Sequence, residues 1–553
     1  MGLLNKIEQE LGLGEKPTPA ASAPAPTPPT ANAPAQPGGL EPEAALATIR
    51  HRTLLVHGYS ATGKEFENWK AALTALGGVE VATVEIGNYV TLNNEITIKD
   101  LGEAFDRALR LTPWSTGSKD DLWTFDAIVH STGMLVVRQW LTSDPFPRSD
   151  PRSRVRRLKH LVGLAPATFG SPQGSEGRSW LGALVKGNKD IGPDFLNAGD
   201  LVLDGLELAS KYTWDLALND MLCTPPMYDQ GDQTPYAAVF IGNMPYSGIS
   251  ALANSPGSDG TVRWAGCALN TRMVQLDFRR ESKLIGDGGE PTRAVISKWA
   301  DTRLPCPMLA VAGRNHGSIL DQPEPDAVQR VNDFLLKVNS DASYQDWLTA
   351  AQQHSVDAQA KMDADSQDGD FGGAGWQQFV LHVIDDHGDG VTDYNAKLFV
   401  GTDLSQSDDP SYPEVPLIVD TYTSDKSYRC FYVRLDANML TAGDPGSGKK
   451  VWMELIASSG TTYLQYEAYT NQDPANPDAS VTRLVPLTQI DPAKPMPNLV
   501  KLDLSSLGAD AKLFYPYTTT LVEVVLEREP TPLNKVSDLF QFWQGAQQAN
   551  QQT

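Results

Sequence analysis

From residue 42 to about residue 340, short apolar runs alternate with helical patterns. Thr53–Val56, Val79–Ile86, Phe125–Val129, Leu158–Leu164, Ala237–Ile241 and Pro307–Val311 are brief, largely apolar and rich in β-branched residues, the signature of buried strands. Phe66–Leu76, Leu101–Leu111, Met134–Leu141 and Ala327–Leu336 place their apolar residues at helical spacing. Strand–helix alternation on this scale predicts a mostly parallel sheet with helices on both faces. Residues 170–235 break the rhythm. They are rich in Gly, Trp and Leu and predict an inserted helical cap.

Beyond a polar helical bridge (Ala342–Met362) and the glycine-rich Gly369–Gly375, the period changes to two. Phe379–Ile384, Ala396–Val400, Tyr428–Leu435, Lys450–Ile456, Thr462–Tyr469 and Leu521–Glu527 are separated by Gly, Pro, Asn and Asp turns. Such strands without intervening helices predict an all-β sandwich over residues 376–533. The bridge, residues 341–375, has few large apolar residues and predicts a modest polar interface with relative motion. At the ends, Leu3, Leu4, Ile7 and Leu11 predict a short amphipathic helix over residues 1–13, a Pro/Ala-rich linker follows at 14–41, and a closing helix with a glutamine-rich tail occupies 534–553.

Composition narrows the classes. With 68 acidic against 45 basic residues, the net charge of −23 over 553 residues repels polyphosphate and argues against nucleic-acid binding. Cys223, Cys267, Cys306 and Cys430 have no metal-ligand spacing and read as reduced core thiols. No apolar run is long enough to span a membrane, which leaves at most peripheral contact with a lipid surface. MGLLNKIEQE lacks the pattern of a Sec signal, so the expected location is cytoplasmic or exported without one.

Two local signals carry chemistry. LLVHGYSATG (residues 54–63) is a buried strand ending in His57-Gly58 and a small, turn-rich loop. DAIVHSTGMLVVRQWL (residues 126–141) is an apolar strand running into His130-Ser131-Thr132-Gly133 and then an amphipathic helix. A serine on so sharp a turn is held at the carboxyl edge of the sheet, beside a helix N-terminus whose free N–H groups favour an oxyanion. The segment resembles the nucleophile elbow of the α/β-hydrolase superfamily, and His57-Gly58 resembles the oxyanion-loop motif of its bacterial lipases. One residue departs from that pattern. Val129 stands where the family has its first glycine, and a β-branched side chain crowds the turn.

The resemblance implies an α/β-hydrolase fold and a triad in the chain order Ser, Asp/Glu, His. Among the histidines after Ser131, His160 adjoins a buried strand, His354 lies in the bridge, and His382 and His387 belong to the second region. His316 follows a strand in the loop GRNHGS, at the edge that delivers catalytic loops, and is the expected general base. Asp259, in the tight loop NSPGSDGTV, is the expected orienting acid, with Asp220 and Asp301 as weaker candidates. The lipase resemblance assigns the oxyanion hole to the main-chain N–H groups of Tyr59 and Thr132. It implies no cofactor and no metal.

Asp385–Asp393 resembles a calcium loop, but the twelfth-position glutamate is missing and the stretch joins two strands, so a hairpin turn accounts for it. The expected function is hydrolysis of a lipid-like carboxylic ester. The alternatives are a phospholipase or thioesterase on the same fold, delivered as an exported bacterial effector, and a non-catalytic scaffold whose sandwich binds a partner. All catalytic candidates precede residue 320. A chain ending near residue 340 is therefore expected to hydrolyse a small soluble ester unaided.

Overall fold

The computed structural model of this chain describes residues 51–530 apart from 58–65, 85–94, 117–122, 173–199, 229–230, 232, 248–253, 282–283, 286–290, 293–295, 302–307, 366–374, 403–413, 422–423, 445, 462–463, 472, 474, 485–499 and 504–511. The expected terminal helices, the linker, Tyr59, Cys306 and most of residues 170–199 lie outside the described residues. The described residues all fall within one compact unit.

In chain order the first strands are β1 (His51–Val56), β2 (Val79–Val84), β3 (Phe125–His130), β4 (Leu158–Leu164), β5 (Tyr236–Gly242), β6 (Thr271–Asp277), β7 (Leu284–Ile285), β8 (Pro291–Thr292), β9 (Ile296–Asp301) and β10 (Met308–Val311). Six of them build the core sheet in the order β10-β5-β4-β3-β1-β2, every pair parallel. Parallel pairing requires crossovers, and the crossovers cover both faces. That is why β3 and β5 are buried at every position and read as continuous apolar runs. Helix Ile98–Leu109 illustrates the local logic. Thr97 and Asp100 form a reciprocal capping box at its start, and Ile98, Leu101, Phe105 and Leu109 make its buried stripe. The cap expected between 170 and 235 contains the helices Asp200–Leu206 and Lys211–Asp220.

The remaining strands are β11 (Trp376–Asp385), β12 (Asp393–Gly401), β13 (Leu417–Thr421), β14 (Tyr428–Arg434), β15 (Lys450–Ser458), β16 (Leu464–Tyr469), β17 (Val481–Leu484), β18 (Val500–Asp503) and β19 (Thr518–Pro530). A sheet ordered β13-β14-β11-β19-β16-β17 shares a hydrophobic core with the three-stranded sheet β12-β15-β18. Phe379, Leu381 and Val383 of the larger sheet meet Leu398, Met453 and Leu455 of the smaller one in that core. The chain therefore combines a mostly parallel core sheet with a second, β-rich region.

The two regions are not divided at residue 340. β6 pairs parallel with β19 along Thr519–Val525, and β9 pairs antiparallel with β6, so two strands from the first half of the chain belong to the second sheet. The expected polar, modest interface is also corrected. Trp376, Val380, Tyr428, Cys430, Tyr432 and Leu521 join the same buried cluster as Leu54, Ile128 and Val239 of the core sheet. Residues 341–365 do form a helix, but it flanks the core sheet through Tyr344 and Leu348 rather than serving as a tether. A chain ending at 340 would leave β6 without β19 and expose this apolar surface, so independent activity of that fragment is no longer expected.

Candidate active site

Ser131 occupies the turn between β3 and the helix Gly133–Thr142 at φ 51°, a left-handed conformation costly for a residue with a Cβ. The surrounding contacts enforce it. The Ser131 N–H donates to the Leu164 carbonyl at 3.4 Å, and its own carbonyl accepts from Ala167 at 3.0 Å and Met134 at 3.3 Å. Gly133 is required by close approach, since a Cβ there would lie 2.7 Å from the Val56 carbonyl oxygen. The register partner of Val129 on β4 is Gly163, where a Cβ would meet Met134 at 2.9 Å and Pro166 at 2.7 Å, so Gly163 is kept small by the helix that follows Ser131 and by the loop after β4.

His316 lies beyond β10 and Asp259 in the loop between β5 and β6, and the structure brings the two together. His316 Nδ1 donates to Asp259 Oδ2 at 2.9 Å, and the His316 N–H donates to the Asp259 carbonyl at 3.0 Å. The other Asp259 oxygen accepts from the N–H groups of Thr261 (3.0 Å) and Val262 (2.8 Å). This fully buried carboxylate is thus supplied with charge-stabilising donors. With Nδ1 committed as a donor, Nε2 of neutral His316 carries the lone pair. It makes no hydrogen bond to any described residue.

The serine reaches this pair through its chain neighbour. His130 Nε2 donates to the His316 carbonyl at 3.1 Å, and the two rings lie 4.6 Å apart. His57 continues the column, its ring 5.7 Å from His130. Burial, then the neighbouring His316 and His57, pushes His130 well below the usual histidine range, so it stays a neutral donor. Ser131 Oγ has no hydrogen-bond partner among the described residues. The Thr132 N–H, at the cap of the following helix, likewise donates to none of them, and Thr132 is 1 % exposed. Tyr59, the second expected oxyanion donor, lies outside the described residues.

The other candidates have different work. Asp220 is bound by Arg138 Nε at 2.7 Å and Nη2 at 3.1 Å and by the Tyr228 hydroxyl at 2.8 Å, a buried brace between the helix Gly133–Thr142 and the cap. Asp301 lies on β9, in the second sheet. In the Asp385–Asp393 turn, Asp385 accepts from the N–H groups of His387 and Asp389 and from Arg528 Nη1 at 2.8 Å, so its positive partner is a guanidinium, as suits a structural turn. In the sequence His57 and His130 belong only to motifs, and no local signal marks the packing of their rings beside His316.

No family model and no curated protein sequence matches the chain. Among solved structures, phospholipase PlaB from Legionella pneumophila superposes with a TM-score of 0.63 at 20% identity, covering 89% of this chain and 96% of that one. The same phospholipase in complex with thio-NAD gives 0.62, at 20% identity and with 89% and 97% covered. Both regions, and not the core sheet alone, share that likeness. The chain has the α/β-hydrolase fold, extended by a second, β-rich sheet region.

Proposed function

We propose that this protein is a carboxylic ester hydrolase of the lipase or esterase type, working through an acyl-enzyme. The observation that carries the reading is the buried Asp259–His316 pair, which leaves Nε2 unclaimed at the sheet edge where Ser131 occupies its strained turn. Ser131 Oγ attacks the ester carbonyl while His316 Nε2 takes its proton, and Asp259 holds the tautomer and stabilises the imidazolium. The oxyanion is bound by the N–H groups of Thr132 and Tyr59, each such donor lowering the barrier by roughly 3–4 kcal/mol. The proton passes to the leaving alcohol, and water, deprotonated by the same histidine, releases the acid. An Oγ without a partner before substrate arrives is compatible with this, because catalytic hydrogen bonds tighten in the complex.

Within this class a phospholipid ester is the favoured substrate, supported by the likeness to the Legionella phospholipase across both regions. A fluorophosphonate probe should label the wild type and not Ser131→Ala, and that variant should lose ester hydrolysis. Unaltered hydrolysis by Ser131→Ala would overturn the assignment. Headgroup and fatty-acid release from phospholipid, triacylglycerol and p-nitrophenyl esters then ranks the substrates, and activity confined to short soluble esters would remove the lipid reading.

A further inference from the structure

The loop that carries Asp259 is gripped from the other sheet. Residues 257–264 form a closed turn: Ser258 and Arg263 bridge, the Asp259 N–H donates to the Val262 carbonyl at 3.2 Å, and the Trp264 N–H donates to the Gly257 carbonyl at 3.0 Å. The same Gly257 carbonyl accepts from the Tyr432 hydroxyl of β14 at 2.7 Å. Tyr432 stacks on Trp376 of β11, with centroids 4.8 Å apart and an interplanar angle of 15°. Gly257, at φ +64°, presses its backbone against both rings, since a Cβ there would lie 2.6 Å from Trp376 and 2.8 Å from Tyr432. On the far side of the turn the Arg263 guanidinium lies 4.6 Å from the Tyr432 ring centroid and bonds Asp420 of β13 at 2.7 Å. Burial holds the Tyr432 phenol far above its ordinary range, so it remains a protonated donor.

We propose that Tyr432, backed by Trp376, is a positioning residue of the hydrolytic site: it fixes the Gly257 turn and thereby holds Asp259 against His316. This rests on the triad reading above and extends it to the second sheet, which becomes part of the catalytic apparatus although it contributes no reacting group. A turn closed by its own hydrogen bonds transmits a displacement at Gly257 to Asp259 two residues on, and small displacements of a catalytic group are costly.

Tyr432→Phe in the full chain removes one hydroxyl and keeps the stack. With a soluble p-nitrophenyl ester, kcat is expected to fall about tenfold with KM unchanged, fluorophosphonate labelling of Ser131 should slow in parallel, and the melting temperature should hold to within a few degrees. In an Asp259→Asn background the same change should have no further effect, because its route runs through Asp259. Gly257→Ala, which drives a methyl into both rings, should lower kcat further than Tyr432→Phe. Wild-type kcat for Tyr432→Phe, or an undiminished tenfold loss in the Asp259→Asn background, overturns the positioning role. Should Ser131→Ala itself retain activity, the triad reading fails first and is recognised separately.

Discussion

The core sheet carries a buried histidine–carboxylate pair at each end of its strands, and only one of them moves a proton in the mechanism proposed above. At the carboxyl edge, His316 Nδ1 binds Asp259 at 2.9 Å and Nε2 is left to the site. At the amino edge, His160 Nδ1 binds Asp126 at 2.6 Å, but Nε2 donates to the Val338 carbonyl at 2.7 Å. Both ring nitrogens of His160 are thus engaged by protein groups, and neither is left to a substrate. Burial alone would raise the Asp126 carboxyl, yet His160 and His51 outweigh it and hold the group below its ordinary value. The amino-edge pair is a fixed hydrogen-bonded clamp between β3, β4 and the segment after the helix Pro325–Lys337. What separates a base from a clamp is the company of the second ring nitrogen, since the first contact is nearly the same in both.

The largest expected contrast is in turnover. Asp259→Asn should lower kcat by about 10⁴-fold and His316→Ala by at least about 10³-fold. His160→Gln should leave kcat per folded molecule unchanged, as measured by steady-state kinetics with active-site titration. A comparable loss from His160→Gln would dissolve the distinction.

In stability the order reverses. His160→Gln takes from the buried Asp126 one of its two histidine partners and should cost about 1–3 kcal/mol by urea unfolding. His316→Ala should cost less, because Asp259 keeps its two backbone donors.

A third contrast lies in pH. His130, next to the serine, has a folded value well below 6.5, so it takes up a proton more readily unfolded. Its contribution is intact above its unfolded value, near 6.5, and is lost as pH falls from there towards the folded value. His130→Asn should flatten that acid-side decline in a pH series of thermal melts.

The smallest effect concerns His51, whose value is raised chiefly by its hydrogen bond to Asp126, against a weaker opposing effect of burial. Its contribution is full below the unfolded value and is lost as pH rises through the folded one, the opposite sense to His130. Because its side chain is 37% exposed, solvent screening should keep that contribution below about 1 kcal/mol. His51→Gln should remove the alkaline-side decline and leave the acid side untouched.

Much of the core sheet was legible in the chain, for a physical reason. β3, β4 and β5 are covered on both faces, so burial writes itself as unbroken apolar runs, and Leu158–Leu164 matches its expected bounds. The strand-to-helix serine turn was legible because Ser131 lies between such a run and an amphipathic helix. β6 was not. Its sequence, TRMVQLD, mixes Arg, Gln and Asp with apolar residues, and its partner β19 begins near residue 518. Local periodicity holds no record of a partner so distant.

The residues themselves determined which chemistry was on offer: a serine on a tight turn, an Asp-Gly loop and a histidine after the last core strand, in the order the fold requires. Tertiary structure alone decided that His316 and not His160 meets Asp259, and that the turn carrying Asp259 is bonded from the second sheet. Each of these is a matter of a few tenths of an ångström between segments far apart in the chain. Such distances are set when two surfaces pack, since close-packed interiors leave side chains and backbone no slack.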